Sequence, residues 1–438
     1  MPAPLQPVQS NPGLPKRADV VVIGGGIVGV CTAYFLANSG VSVALVEKGR
    51  IGAEQSSRNW GWCRQMNRDA RELPLATRSL ELWEDIQAEA GENLGFSRCG
   101  LLYLSDDKAE LDGWAAWCKW AKGEGIETEV LDGVQAAQWG RASAKPWRGG
   151  IISPTDGVAD PSVAAPGIAR AVQKLGGTIH QFCAARGVER TAGAVSAVVT
   201  EQGTIETSRV VMAGGAWASS FCNQLGISVP QSAVRSSILS IASVASELPA
   251  AVHTKDVSLT RRGDGGYTLA ISGLARVDPT LQSMRHLNRF LPIFLRRRAF
   301  LKPGGLQAFW SGHETIGKWD WNKPSPMERM RILDPRPDAT AIAETLRRAR
   351  LLFPELGTAV VQNAWAGYID STPDGVPVID EVAPGFVLAA GMSGHGFGIG
   401  PGVGQMAADL AQGKTPALSH RPYSLARLQK GALDVAEF

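Results

Sequence analysis

Three glycines near the start of the chain, at 24, 26 and 29, are spaced G-x-G-x-x-G and are followed by an acid at Glu47. The spacing has a definite chemistry. Gly24 permits a tight turn, Gly26 lets backbone approach a pyrophosphate, and Gly29 lets a helix pack closely on a strand. The free N–H groups at the start of that helix, at Ile27 and Val28, favour phosphate, while Glu47 can accept ribose hydroxyls. A second glycine-dense stretch, Gly391 to Gly404, carries His395 and brings backbone N–H groups toward an electron-rich ligand. Between them runs Ser56-Ser57-Arg58-Asn59-Trp60-Gly61, followed by Trp62 and Arg64. Small and hydroxylated residues there suit a backbone passing close to a ligand, with two indoles as its walls. Gly214-Gly215-Ala216-Trp217 forms another strand-to-glycine turn, with Gly215 on the face where α/β proteins bind ligands.

The elements that must hold these residues are legible around them. Val20 to Ile23 is a run of β-branched residues, read as a buried parallel strand. Ile27 to Ser39 has helical periodicity and ends at Gly40, and Ser42 to Val46 is a second buried strand that delivers Glu47. This strand–glycine–helix–strand unit predicts dinucleotide binding. A single fingerprint, with no second one to seat a nicotinamide, favours FAD. Further along, helices are expected over 73–90, 109–122, 162–175, 339–352 and 405–411. Strands are expected at 100–104, 178–180, 194–200, 204–206, 209–212 and 386–390, with a hairpin turn at 261–267. The expected class is α/β: a Rossmann-like FAD-binding domain of discontinuous sequence (18–98, 150–228 and 358–438) and a second, mixed-sheet α+β substrate domain (99–149 and 229–357). Residues 1–17, rich in Pro and polar groups, read as a disordered arm.

Composition narrows the function. The chain has 438 residues, 44% hydrophobic and 19% charged, enough to bury a large core. Lys+Arg 44 against Asp+Glu 41 leaves a net charge of +3, too balanced for a dedicated nucleic-acid binder. The six cysteines, at 31, 63, 99, 118, 183 and 222, form no C-x-x-C pair, so neither a metal site nor a redox dithiol is expected. No apolar run of about 18 residues predicts a membrane span, and a cytoplasmic location is expected. One segment suggests a peripheral contact at the inner face of the membrane. In it Phe290, Leu291, Ile293, Phe294, Leu295, Phe300 and Leu301 alternate with Arg296, Arg297, Arg298 and Lys302.

Taken in order, six motifs resemble the D-amino acid oxidase-like flavoproteins, which include glycine oxidase, sarcosine oxidase and D-amino acid dehydrogenase. They are the glycine fingerprint with Glu47, the Ser56–Gly61 run, Asp156-Gly-x-x-Asp160-Pro161, Gly214-Gly215-Ala216-Trp217, Thr372-Pro373-Asp374-Gly-x-Pro377 and Gly394-His395-Gly396-Phe397. The resemblance implies a two-domain FAD enzyme that oxidises a C–N bond to an imine, which water hydrolyses. It implies FAD contacts from Gly24, Gly26, Ile27, Val28, Gly29, Glu47, Lys48, Ser56, Ser57, Arg58, Asn59, Trp60, Gly61, Val188, Gly394, His395, Gly396, Phe397 and Gly398. Two departures stand out: Ile369 occupies the position of the family's carboxylate-binding arginine, and Gly398 that of a lysine in sarcosine oxidases. No cysteine precedes Thr372 where sarcosine oxidases tether the flavin, so FAD is expected to be non-covalent.

The expected function is oxidative deamination of an amino acid, the D form favoured, or of a related amine, by hydride transfer to flavin N5. Oxygen or a quinone would take the electrons. Trp60, Trp62 and Tyr368 are expected as walls of the substrate cavity, His395 as a polar group at the flavin, and Arg64 as the substitute carboxylate clamp. The alternatives are a secondary-amine oxidoreductase and a flavoprotein subunit of a larger amine dehydrogenase. A tRNA-modifying role is disfavoured by the charge balance.

Overall fold

The computed structural model describes residues 3–140, 146–298, 301–305 and 317–429. The chain opens with the expected unit: strand β1 (Val20–Ile23), helix α1 (Ile27–Asn38) and strand β2 (Val43–Val46). All residues of both strands are buried, which is why four consecutive β-branched or aliphatic residues suffice to specify each. They sit inside a six-stranded sheet in the order Val378–Ala383, Phe386–Ala390, Arg209–Met212, β1, β2, Thr178–His180. The pairs are parallel except the first, where a tight turn makes 378–383 and 386–390 antiparallel. One face is covered by α1 and the helices Leu73–Ala90, Ala164–Lys174 and Gly400–Ala411, around a core that includes Val22, Leu45, Trp83 and Val403. The other face packs on a three-stranded antiparallel sheet, Ala185–Thr191, Ala194–Thr200 and Gly203–Glu206.

The second sheet has ten strands and is mixed. Its centre is Ser232–Ile241, paired antiparallel along its whole length with Val361–Ser371. Leu101–Ser105 and Gly149–Ser153 extend it at one end, and Ala275–Val277 and Leu301–Pro303 at the other. Leu239, Ile241, Tyr267, Leu269 and Phe353 fill the core beneath it, against helix Ala339–Leu352.

Sheet membership departs from the sequence division at two strands. Gly149–Ser153 and Val361–Ser371 both belong to the ten-stranded sheet, although their neighbours in sequence serve the parallel one. The arm expected to be disordered is pinned from residue 3 onward. Gln6 N donates to Ser162 O (2.9 Å), Asn11 N to Ile179 O (2.8 Å), and Gln181 Nε2 to Val8 O (2.7 Å). Polar residues there find partners on the protein, an outcome that composition does not disclose. The helix expected from Gln405 begins at Gly400. Leu287–Arg296 forms a helix with Arg297 and Arg298 just beyond it, while Phe300 lies outside the described residues. Among the described residues no helix is long and apolar enough to cross a membrane.

Candidate active site

A cavity of about 580 Å³ runs between the end of the parallel sheet and the ten-stranded sheet. Its floor is the glycine turn after β1. Gly24 has φ +112°, and a Cβ there would lie 2.4 Å from the Ala213 carbonyl oxygen. A Cβ on Gly29 would lie 1.9 Å from Gly24 O, so strand, turn and helix meet without side chains. Gly29 therefore acts by packing and does not line the cavity. At the N-terminus of α1, Ser56 Oγ accepts from Ile27 N (2.8 Å). Gly26, Ile27 and Val28 all border the cavity.

Glu47 emerges from β2 beside that turn. Its two carboxylate oxygens accept from Gly25 N and Gly49 N, both at 2.7 Å, and burial raises its pKa. Each oxygen retains a lone pair for a further donor. Lys48 ion-pairs with Glu54, donates to Met330 O and Arg331 O, and holds its ammonium 4.6 Å from the Trp217 ring centroid.

The run 56–61 is locked by its own bonds. Arg58 donates to Asp334 (2.7 Å), to Ala366 O (2.7 Å) and twice to Ala53 O, so this buried guanidinium joins the loop to the ten-stranded sheet. Asn59 bonds Gln55 O, Ser56 O and Gly61 N. Ser56, Arg58, Asn59 and Trp60 line the cavity, whereas Ser57 and Gly61 do not. Ser57 caps Glu54 O, and Gly61 turns the chain against the Ala159 carbonyl. Val188 is also outside the lining: it is held in strand register opposite Val198, and Ala185, at the start of the same strand, reaches the cavity in its place.

At the far end the glycine loop after Phe386–Ala390 supplies Gly394, His395, Gly396, Phe397 and Gly398. Asp370 fastens it, accepting from Gly391 N (2.8 Å) and Gln231 Nε2 (3.2 Å), with its carboxyl pushed up to about 6 by burial. His395 Nδ1 lies 3.0 Å from the Glu72 carboxylate, whose side chain is 0% exposed. Burial and the nearby Arg68 push His395 down to about 4, so it is neutral at pH 7. Trp60 and Trp62 meet edge to face at 4.7 Å, and Trp62 Nε1 donates to Thr260 Oγ1 (2.7 Å). Tyr103 and His253 extend this aromatic wall, their rings 4.5 Å apart. Tyr368 also faces the cavity and donates its hydroxyl to Asp278 (3.0 Å), with Ile369 beside it. Arg64 lines the same end and donates to Met66 O and Asn67 O.

Sequence reasoning missed Gln55, Arg68, Tyr103 and His253 in this lining, and the contribution of Ser232–Ile241. That strand presents Ser232, Val234, Ser236 and Ile238 to the cavity, a period-two pattern present in the sequence. Gly215 does reach the lining, beside the Gln55 amide.

The donor set fits FAD: a side-chain-free cradle at a helix N-terminus, a buried acid beside it, and a long cavity ending under a glycine loop. Residues 19–410 match the family model described as DAO, FAD dependent oxidoreductase. The chain belongs to this family, and its cofactor is FAD. It is 26% identical to the sarcosine oxidase subunit beta of an Arthrobacter species, with 97% of this chain and 94% of the relative covered. Two solved structures are similar over nearly all of both chains. L-amino acid deaminase from Proteus myxofaciens in complex with anthranilate has TM-score 0.94 and 28% identity, covering 98% of each chain. L-amino acid deaminase from Proteus vulgaris has TM-score 0.92 and 29% identity, covering 96% of this chain and 100% of that one.

Proposed function

We propose that the protein oxidises the C–N bond of an α-amino acid or related amine, and that the resulting imine is hydrolysed by water. The supporting observation is the single continuous cavity, which joins the FAD cradle to an aromatic wall with arginines beside it. When bound, FAD supplies the acceptor for the hydride, at N5 of its ring. The chain's own groups orient the substrate. Trp60, Trp62 and Tyr368 confine it, and the neutral imidazoles of His395 and His253 place no cation beside the amine. Hydride loss then requires orientation of the C–H bond more than a strong base. The sequence favoured the D configuration. Nothing in the site selects it, and the likeness to two L-amino acid deaminases supports the L form. No cysteine lines the cavity among the described residues, which supports non-covalent FAD. Anaerobic mixing with matched L- and D-amino acids and plain amines tests the reading. Bleaching of the flavin by an L-amino acid is expected, and no bleaching by any member of such a panel would reject it.

A membrane quinone is the acceptor we propose over oxygen, and one surface favours it. Helix Leu287–Arg296 has no buried residue. Phe290, Ile293 and Phe294 border the cavity, while Leu287, Leu291 and Leu295 are exposed, continuing a row from Leu281 and Met284. Arg285, Arg289, Arg296 and Arg298 stand along it. Such an apolar row with cations suits the surface of an anionic bilayer. Co-sedimentation with anionic vesicles, lost when Arg296, Arg297 and Arg298 are neutralised, is the expected result. Absence of sedimentation at low salt would exclude attachment. The likeness to a sarcosine oxidase subunit supports a competing reading, a flavoprotein subunit of a larger complex. That reading requires the isolated chain to be inactive with every amine.

A further inference from the structure

The segment 317–338 crosses the end of the cavity at which Glu47 stands. Among the described residues it joins no sheet, and its one regular element is the short helix Pro326–Arg329. Side chains hold it from two directions instead. Toward the three-stranded sheet, Glu328 grips Arg186 through two bonds of 2.9 Å, Trp319 Nε1 donates to Arg186 O (2.8 Å), and Arg331 pairs with Glu201. Toward the residues after β2, Lys48 donates to Met330 O and Arg331 O, and Arg331 donates to Lys48 O (3.0 Å). Leu333 N donates to Glu54 (3.0 Å), and Asp334 accepts from Arg58 (2.7 Å). Two glycines admit this close approach: a Cβ on Gly49 would lie 2.3 Å from Arg331 O, and one on Gly187 2.1 Å from the Trp321 ring. From the segment Met327 reaches the cavity lining, with Lys48, Trp217 and Phe221.

We infer that this segment is a strap over the adenosine half of FAD, and that it must open for the cofactor to enter or leave. An acid after the second strand of such a unit accepts ribose hydroxyls, so the end of the cavity at Glu47 and Met327 is the adenosine end. Pro324, Pro326, Pro335 and Pro337 restrict the strap's backbone, so it moves as one piece. Opening it breaks no sheet ladder. It does break the ion pairs and expose Met327 and Leu333, which are 4% and 5% exposed when closed. Those costs make opening rare, and a rare opening limits passage in both directions. The latches themselves stand outside the cavity: Glu201, Trp321, Glu328 and Arg331 do not border it. Weakening them therefore removes no group that faces the cofactor.

The test follows FAD rather than turnover. Release from the FAD-loaded enzyme on dilution and uptake by the stripped protein are both timed by flavin fluorescence. Arg331→Ala undoes a latch, and Gly187→Ala pushes Trp321 from its seat. Each is expected to raise both rates by roughly 10-fold while Kd moves by less than about 3-fold. Arg331→Lys restores part of the native behaviour. Arg170→Ala breaks a comparable pair, with Glu92, whose residues do not border the cavity, and it changes neither rate. A lost contact or a loosened fold would instead speed release and leave uptake unchanged or slower. That pattern overturns the strap, as do unchanged rates in both directions. Tm identifies an Arg331 variant that fails to fold, and Gly187→Ala then decides. Because no amine enters the experiment, its outcome stands apart from whether any amine reduces the flavin.

Discussion

Glu47 does two jobs with one carboxylate. It closes the loop between β1 and the residues after β2 by accepting from Gly25 and Gly49, and it presents remaining lone pairs to the cavity. Glu47→Gln keeps the shape but turns an NH₂ toward one of those donors. A lost bond to a charged group contributes about 1.5–3 kcal/mol, so FAD should bind roughly 10- to 100-fold more weakly, measured by flavin fluorescence on titration. An unchanged affinity would remove Glu47 from the cofactor site. His253 allows a pH prediction. Burial pushes its imidazole down to about 3, with Arg64 adding to the shift, while its ordinary value is 6.5. A depressed histidine binds its proton more readily unfolded, so its contribution to stability is present above pH 6.5 and is lost as pH falls toward 3. Between pH 7 and 5 that loss is about 2 kcal/mol. His253→Phe keeps a ring against Tyr103 and Trp62 while losing the bond to Ser258 (2.8 Å). The variant should be less stable at pH 7, and the Tm gap should narrow by pH 5. A gap that stays constant would show that His253 does not titrate with unfolding.

The helix Gly400–Ala411 shows what glycine does inside an element. A Cβ at Gly400 would lie 2.8 Å from Ile27, one at Gly404 2.5 Å from Cys31 Cβ, and one at Gly402 2.5 Å from Ser79 Oγ. Two of these glycines let α1 cross closely, and the third admits the helix Leu73–Ala90. Gly404→Val would force the crossing open. Overpacking of this kind costs roughly 1–3 kcal/mol, lowering Tm while the folded fraction keeps its full flavin content. Loss of flavin at unchanged Tm would contradict this role. The same residues mark where sequence reading stopped. Glycines disfavour helix by propensity, so Gly391 to Gly404 read as one ligand-binding loop, whereas its last third is helix held by tertiary packing. β1, α1 and β2 were legible because their periodicity and their local turn agree. Val188 and Ala185 could not be told apart, since which residue of a strand reaches a neighbouring cavity depends on its register with another strand. Arg68 was illegible for a related reason. Arg64, Arg68 and Arg71 look alike in sequence, yet Arg71 pairs with Asp69 and Asp374 while Arg68 keeps a free donor.

At the scale of the whole molecule, the cavity is where two sheets with separate cores meet. Side chains tie its two sides together. Arg58 reaches Ala366 O from the 56–61 run, and Asp370 on the long strand holds the glycine loop after Phe386–Ala390. Without FAD, a space of about 580 Å³ must be filled by solvent. FAD binds the folded chain and not the unfolded one, so it stabilises by mass action: at a hundredfold excess over its dissociation constant, by about 2.7 kcal/mol. Removing it should therefore lower Tm, and adding it back should restore Tm in steps that follow the logarithm of free FAD. Riboflavin, which lacks the pyrophosphate and adenosine that we propose Gly24, Gly26 and Glu47 hold, should restore far less. Thermal unfolding of the stripped protein across a series of FAD and riboflavin concentrations measures both. Equal rescue by the two flavins would mean that the glycine turn and Glu47 contribute nothing to retention.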